Sequence, residues 1–186
     1  MSEQRDNVFE SPLRSAIYEG SISIKDFTSK RRWGFRGKDA ATTLRAEGST
    51  LPDAPNQVVS ANEQTLVLAL SQREFWFLDT RTEALSKDAR DDAFTDGMYP
   101  LFCQDSHAWL VVNGEQKSEM MAKLCGVDLS SDAFKVGDVA QTQMALINCI
   151  VARHELDGSD VFSLLLDQSY AEYALEALLD ARAEYL

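Results

Sequence analysis

The chain contains an internal repeat, and this repeat constrains the fold more than any other feature. A strand-like segment, a glycine, a helix-like segment and a second glycine occur at 33–48 and again at 109–126, about 77 residues apart. Each copy opens with a tryptophan. Two such units related by a pseudo-twofold axis would share one core. The repeat therefore predicts an α+β fold with mixed or antiparallel sheets, made of two strand-helix-strand units.

Hydrophobic periodicity places the secondary structure within one domain, 21–186, whose halves are 21–97 and 98–186. Residues 1–20 show neither the helical nor the strand period of apolar residues, so we expect an extended N-terminal arm there. Apolar alternation and glycine stops predict strands at 21–25, 31–37, 65–70, 73–79, 107–113, 140–145, 147–154 and 161–166, and helices at 38–47, 80–97 and 115–125. The capping box Ser169-x-x-Glu172 predicts the start of a last helix, whose buried stripe holds Ala171, Ala174, Leu175 and Leu178.

Length and cysteine content indicate a stable protein of a reducing compartment. A chain of 186 residues can bury about 70% of the surface that its unfolded form exposes, so it needs neither disulfides nor a metal. Its three cysteines, at 103, 125 and 149, are an odd number and predict free thiols. The longest mostly apolar run, 144–152, falls far short of the ~20 residues that cross a bilayer, and the N-terminus has no signal-peptide pattern. We expect a cytoplasmic protein without a membrane partner.

The net charge of −12 argues against nucleic acid as a partner, because so acidic a surface repels phosphate. One segment differs from this background. Five cations crowd into nine residues: Lys30, Arg31, Arg32, Arg36 and Lys38. Three interpretations stay open, namely a solvated strand edge protected by its charges, a contact patch for an acidic face of a partner subunit, and a site for an anionic ligand.

The sequence Asp105-Ser106-His107 invites comparison with a serine triad. On a strand, successive side chains point to opposite faces, so Ser106 is expected to face away from its two neighbours. A triad needs nucleophile, base and acid to converge. We therefore expect no catalytic residue here.

Metal and nucleotide sites are equally poorly supported by the residues. Cys103, His107 and His154 do not form the two close ligand pairs of a zinc site. The segment 34–37 has two glycines, but it matches neither G-x-G-x-x-G nor a phosphate loop that ends in Gly-Lys-Ser/Thr. We therefore expect no metal-binding and no cofactor-binding residue in this chain.

Two further clusters have structural interpretations. The carboxylates Asp88, Asp91, Asp92 and Asp96 are expected to be solvated on a surface helix, since acid-base work needs a dry cleft. The three consecutive rings of 75–77 place large apolar groups on both faces of one strand. One face must be core, and the other is either a second packed layer or a subunit interface.

Six segments, in their order and spacing, resemble the gamma subunit of heterotetrameric sarcosine oxidase, a relative of the folate-binding aminomethyltransferase fold. The segments are 11–13 (SPL), 35–37 (FRG), 51–56 (LPDAPN), 105–109 (DSHAW), 124–129 (LCGVDL) and 140–142 (AQT). The resemblance runs from about residue 11 to about residue 180. It departs from the family pattern in the Asp-rich segment 79–96 and at Asn148, which interrupts an apolar strand.

The resemblance implies a complex with alpha, beta and delta subunits that demethylates sarcosine oxidatively to glycine and is linked to tetrahydrofolate. The cofactors of that complex, FAD, FMN, NAD, tetrahydrofolate and zinc, are expected in the other subunits. Aminomethyltransferases carry an Asn-Gly-Gly element followed by paired acidic residues, and this sequence has no such element. The resemblance therefore implies a chain without catalytic, cofactor-binding or metal-binding residues.

Together these observations predict a non-catalytic structural subunit of a sarcosine oxidase complex. The residues expected to contact a partner are Trp33, Arg36, Phe75 and Phe77, with the N-terminal arm against a neighbouring subunit. One alternative is a gamma-like subunit of a related N-methyl amino acid oxidase or dehydrogenase. The other is a free-standing folate-binding module of the same fold.

Overall fold

The structure is a computed structural model that describes residues 9–14, 16–84 and 97–186. Among these residues, no helix is long and apolar enough to cross a membrane. The strands are β1 Ile17–Tyr18, β2 Ser23–Asp26, β3 Lys30–Arg36, β4 Gln57–Ser60, β5 Thr65–Ser71, β6 Glu74–Glu83, β7 Tyr99–Leu101, β8 His107–Asn113, β9 Val139–Met144, β10 Ile147–Leu156 and β11 Ser159–Asp167. The helices are α1 Ala40–Ala46, α2 Cys103–Ser106, α3 Lys117–Ala122 and α4 Ala171–Arg182, with short 3-10 turns at Gln168–Tyr170 and Ala183–Tyr185.

The strands form two antiparallel sheets in which the repeat is visible as topology. The six-stranded sheet has the order β1-β2-β8-β11-β10-β9, and the five-stranded sheet has the order β4-β5-β6-β3-β7. Each half contributes a strand, a helix and a three-strand meander, β3-α1-β4-β5-β6 and then β8-α3-β9-β10-β11. In both sheets the last strand of the meander lies beside the first strand of the unit. The predicted α+β class and its two related units are confirmed.

The two halves are joined by an exchange of strands. Strand β2 precedes β3 in the chain but pairs with β8, and β7 precedes β8 but pairs with β3. A glycine follows the first strand of each unit, and a carbonyl beside the exchanged strand approaches it closely. A Cβ at Gly37 would overlap the carbonyl of Gly97, and a Cβ at Gly114 would overlap that of Ser21. Only glycine therefore fits at these two equivalent positions.

The two sheets pack face to face, and helices cover their outer faces. Helix α1 lies on the five-stranded sheet, and α3 and α4 lie on the six-stranded sheet. The layer between the sheets is apolar and is formed chiefly by Val58, Leu66, Leu68, Leu70, Trp76, Leu78, Trp109, Val111, Val139, Ala152, Val161 and Leu165. Strands in the middle of both sheets are thus buried on both faces, which explains why their sequences are nearly continuous apolar runs.

This layering decides between the two interpretations of the aromatic segment 75–77. Trp76 points into the layer between the sheets. Phe75 and Phe77 point to the opposite face, where they pack with Ala40 and Leu44 of α1. The second face of β6 is therefore a second packed layer within the chain.

A satisfied polar network lies between the sheets. The indole Nε1 of Trp109, a fully buried residue, donates to Ser163 Oγ at 2.8 Å, and Ser163 Oγ lies 2.7 Å from His154 Nε2. The other ring nitrogen, Nδ1, lies 3.0 Å from the carbonyl oxygen of Glu155. Burial lowers the pKa of His154, so the ring is neutral, accepts from Ser163 at Nε2 and donates from Nδ1. The network links β8, β10 and β11 without leaving a charge in the core.

Arg32, one of the five clustered cations, is buried and holds backbone rather than solvent. Its Nη1 donates to the carbonyls of Thr28 and Lys30 at 2.8 and 3.0 Å. Its Nη2 donates to those of Gln104 and His107 at 3.1 and 2.7 Å. Burial lowers the pKa of Arg32 to about 10, which leaves it charged at neutral pH. Because the planar guanidinium spans both segments, it fastens the start of β3 to the connection before β8.

Several sequence expectations were wrong at the ends of elements. The helix expected at 80–97 is contradicted at 80–83, which continue strand β6, and 85–96, with Asp88, Asp91, Asp92 and Asp96, lie outside the described residues. Ser169 does not cap α4: its hydroxyl and amide both donate to Asp167, which caps the preceding 3-10 turn. The predicted buried stripe of α4 is confirmed.

The described part of the N-terminal segment lies against its own chain. Strand β1 pairs with β2, and Leu13 is buried against the core of the six-stranded sheet. Ser11 donates a hydrogen bond to the carboxylate of Asp26. The contact of this arm with a neighbouring subunit stays a prediction.

The close approach at Gly114 gives a test of the strand exchange. Gly114→Ala would place a methyl group against the carbonyl of Ser21 and hold alanine at a φ of 142°. We expect its free energy of unfolding to fall by at least about 2 kcal/mol. Gly126→Ala is the matched control, because no atom lies within 4 Å of a Cβ there, and it should change stability by less than about 1 kcal/mol. Urea unfolding followed by tryptophan fluorescence measures both, and equal effects would contradict the exchange.

Candidate functional site

The four residues predicted to contact a partner lie together at β3 and β6. Phe75 and Phe77 are only 3% and 6% exposed, because helix α1 covers them. Trp33 is half-buried and stacks on Phe77 with ring centroids 5.3 Å apart. Arg36 is exposed and pairs with Glu74 at 2.6 Å. The surface at this place is thus made by Trp33 and Arg36, and its role as an interface stays a prediction.

The clustered cations are largely compensated within the chain. Lys30 pairs with Glu83 at 2.6 Å, and Arg36 pairs with Glu74. Arg32 is buried, and the guanidinium of Arg31 lies over the ring of Trp33 at 5.1 Å. Strand β3 lies between β6 and β7, and β7 pairs with residues 34–36, so the interpretation as a solvated strand edge is wrong for that part of the strand. Little free positive charge remains here for an anionic ligand.

Ser106 and His107 are closer than the sequence argument allowed. Ser106 ends the short helix α2 rather than lying on the strand, and its Oγ lies 2.8 Å from His107 Nδ1. Burial and the charge of Arg32 lower the pKa of His107. Within the described residues no carboxylate is hydrogen-bonded to this ring. The orienting acid of a triad is missing from the pair, and the ring packs edge-on against Trp76 at 4.7 Å.

The cysteines are buried thiols. Cys103, Cys125 and Cys149 are all free and buried. Burial raises the pKa of Cys103 and of Cys149 to about 12, so both stay protonated at neutral pH. A thiol in this state is neither a good nucleophile nor a good metal ligand. Among the described residues, no group of three His, Cys, Asp or Glu side chains is placed to hold a metal ion.

A cavity of about 750 Å³ opens beside α3 and the hairpin of β10 and β11. Three charged side chains meet in its wall. Asp160 pairs with the ammonium of Lys117 at 3.1 Å and with the guanidinium of Arg153 at 2.5 Å. Both cations are nearly buried, with side chains 6% and 8% exposed, and both lie over the ring of Phe162. Sequence reasoning missed this cluster, although an arginine inside the apolar strand β10 was a visible signal.

The charged side chains of the wall determine which ligands the cavity could bind. Asp160 already accepts from both cations, and the other charged groups of the wall are the carboxylates Glu115, Glu119 and Asp128. An anionic ligand would therefore meet four carboxylates against two engaged cations. The cluster instead fastens α3 to β10 and β11, in the manner of a buried ion pair that is costly to break.

Comparison with known proteins supports the fold. No protein-family model matches the chain, and no curated protein matches it in sequence. A chain of the heterotetrameric sarcosine oxidase from Corynebacterium sp. U-96, in complex with pyrrole 2-carboxylate, matches with a TM-score of 0.77 and 21% identity. The match covers 96% of this chain and 97% of that one.

A second solved structure matches over part of its length. Glycine cleavage system aminomethyltransferase T from Bartonella henselae gives a TM-score of 0.58 at 16% identity, over 83% of this chain and 44% of that chain. At these identities the likeness concerns the fold. The predicted resemblance to a sarcosine oxidase chain and to the aminomethyltransferase fold is confirmed at that level.

Removal of the Asp160 carboxylate, which Lys117 and Arg153 share, tests the structural role of these three charged side chains. Asp160→Asn would leave Lys117 and Arg153 buried without a counter-charge. Breaking a buried pair typically costs 3–5 kcal/mol, and since Asp160 is 34% exposed we expect a loss of about 2–3 kcal/mol in unfolding free energy at pH 7. Asp157→Asn is the control, because Asp157 pairs with Arg81 at the surface and should cost less than about 1 kcal/mol.

The Asp160→Asn variant also tests how the free energy of unfolding depends on pH. Burial alone would raise the pKa of Asp160, but hydrogen bonds from Arg153 and Lys117 outweigh burial and hold that pKa below its usual value. The stabilisation by Asp160 is thus fully present above about pH 4, the pKa of an aspartate in the unfolded chain. It is lost as the pH falls through the lower pKa that Asp160 has in the folded chain. The difference in stability between wild type and Asp160→Asn should shrink below about pH 4. A difference that stays constant from pH 7 to pH 3 would contradict the assignment.

Proposed function

We propose that this chain is a non-catalytic structural subunit of a complex of the sarcosine oxidase type. One observation carries the proposal: the match to the sarcosine oxidase chain extends over 97% of that chain, whereas the match to the aminomethyltransferase covers 44%. A chain of the same length and fold in an assembly named as a heterotetramer favours a subunit over an independent enzyme. The sequence resemblance to the gamma subunit points in the same direction.

The interior of the chain supports a role in assembly. Several of the groups that most often do chemistry are engaged in structural contacts in the part of the chain described. His154 is fixed between Ser163 and a backbone carbonyl. Cys103 and Cys149 are protonated thiols, and the side chains of Lys117 and Arg153 are held by Asp160. A catalytic site needs a nucleophile or base beside an open pocket, and these groups do not provide one.

In the proposed complex the larger subunits carry the flavins, NAD and tetrahydrofolate, a small subunit binds zinc, and sarcosine is demethylated oxidatively to glycine. This chain contacts its partners through a surface that includes Trp33 and Arg36. A complex that acts on another N-methyl amino acid fits the same observations. A free-standing folate-binding module is the second candidate, and the likeness to the aminomethyltransferase fold favours it.

Assembly is tested by co-expression with the flavoprotein and folate-domain subunits encoded by the same organism. We expect this chain to co-elute with them on size exclusion in fixed stoichiometry. A chain that elutes alone, while the other subunits assemble without it, would contradict the proposal.

Calorimetry distinguishes the second candidate. The isolated chain is titrated with a reduced folate at high micromolar concentration, and we expect no binding heat. A saturable heat at a one-to-one ratio would favour the folate-binding module instead. The buffer-matched control is the aminomethyltransferase-type folate-domain subunit, which should bind under the same conditions.

A further inference from the structure

The hairpin between β9 and β10 turns through an unusual pair of residues. Met144 and Ile147 are partners in the ladder, so only Ala145 and Leu146 form the turn. Both have positive φ, at 47° and 69°. Two central residues with positive φ define a type I′ turn, which strongly prefers Asn-Gly or Asp-Gly.

The next hairpin along the chain provides an internal comparison. Between β10 and β11, Leu156 and Ser159 are ladder partners, and Asp157 and Gly158 make the turn with φ of 50° and 76°. The chain therefore uses the preferred pair at one turn and an unfavourable pair at the other. A residue with a Cβ at positive φ shifts the folding equilibrium toward the unfolded chain by roughly tenfold. Such an outlier is a reason to look for a function at the turn.

The unfavourable turn displays an apolar side chain. Leu146 is 86% exposed, the highest value for a large apolar side chain among the described residues. The turn is held from two sides: Tyr173 Oη donates to the carbonyl of Ala145 at 3.0 Å, and the Ala145 amide donates to the carbonyl of Leu124 at 2.8 Å. Leu146 is thus presented at a fixed position rather than on a loose loop.

Two exposed tyrosines lie where α4 begins, and one of them contacts the turn. Tyr173 and Tyr170 are 48% and 50% exposed. Tyr173 lies in the first turn of α4 and contacts the hairpin turn directly, whereas Tyr170 ends the preceding 3-10 turn and is the N-cap of α4. Tyrosine is enriched at the energetic centres of protein interfaces, because it buries a large ring and keeps a polar hydroxyl.

We propose that Leu146, with Tyr170 and Tyr173, forms an anchor that inserts into an apolar pocket on a larger subunit of the complex. The inference rests on the proposed function and names one contact of that assembly. Glu172 is exposed beside the two tyrosines, and the chain carries a net charge of −12. The complementary pocket is therefore apolar with basic groups at its rim. The turn is retained despite its cost in folding stability because leucine at this position contributes to assembly.

A pair of variants separates the anchor from the turn. Ala145→Asn with Leu146→Gly installs the preferred turn and removes the leucine, so the isolated chain should melt roughly 4–8 °C higher than wild type. Ala145→Gly relieves part of the strain but keeps Leu146, so it should also raise Tm. Differential scanning calorimetry of the isolated chains measures both.

Competition during assembly measures the contact itself. Wild type and one variant, distinguished by mass, are co-expressed with the larger subunits, and mass spectrometry of the purified complex gives the ratio incorporated. We expect wild type to exceed the double variant at least tenfold, the loss typical of an interface hot spot. The Ala145→Gly chain, which keeps the leucine, should be incorporated equally with wild type.

Each other outcome overturns the inference. Equal incorporation of the double variant, in a complex that does form, refutes the anchor and leaves the proposed function standing. Failure of wild type itself to assemble refutes the proposed function and the anchor with it. Concentration-dependent self-association of the isolated wild-type chain that the double variant abolishes would mean that a second copy, and not a larger subunit, receives Leu146.

Discussion

The fold depends on the apolar contact between its two sheets. That contact buries one face of each sheet, and helices α1, α3 and α4 bury the opposite faces. At about 25 cal/mol for each Å² of apolar surface removed from water, such double burial is the main source of stability. It also fixes where function can lie. Because the inter-sheet layer is filled by side chains such as Trp76 and Trp109, recognition is left to the edges, turns and helix surfaces.

The polar groups inside this framework connect elements. Trp109, Ser163 and His154 link three strands, and Arg32 ties two backbone segments through four carbonyls at normal hydrogen-bond distance. Asp160 joins α3 to the β10–β11 hairpin. A buried donor or charge is tolerated when its partners are supplied, and each of these clusters supplies them largely from the chain itself. His154, which the sequence offered as a candidate metal ligand, thus has a structural role in the described part of the chain.

The repeat and the strand periods predicted most of the fold, because alternation and glycine stops are local signals. These local signals could not predict features that depend on contacts between residues distant in the sequence. Strand β7 is only three residues long and exists because β3 pairs with it, and β2 and β7 exchange partners in a way that no periodicity encodes. The charged side chain of Lys117 lies far in the sequence from its partner Asp160, so no local pattern predicts their ion pair. Ala145 and Leu146 lack the residues of a type I′ turn, so only the register of the strands reveals one.

The central proposal is that this chain assembles with larger partners and leaves the chemistry to them. The most direct measurement is the turnover of sarcosine by the purified chain alone, supplied with flavin, NAD and tetrahydrofolate, beside the turnover by the assembly that contains it. The account predicts turnover by the assembly and none by the isolated chain. Sustained oxidation of sarcosine, or of any other N-methylated amino acid, by the isolated chain would contradict it.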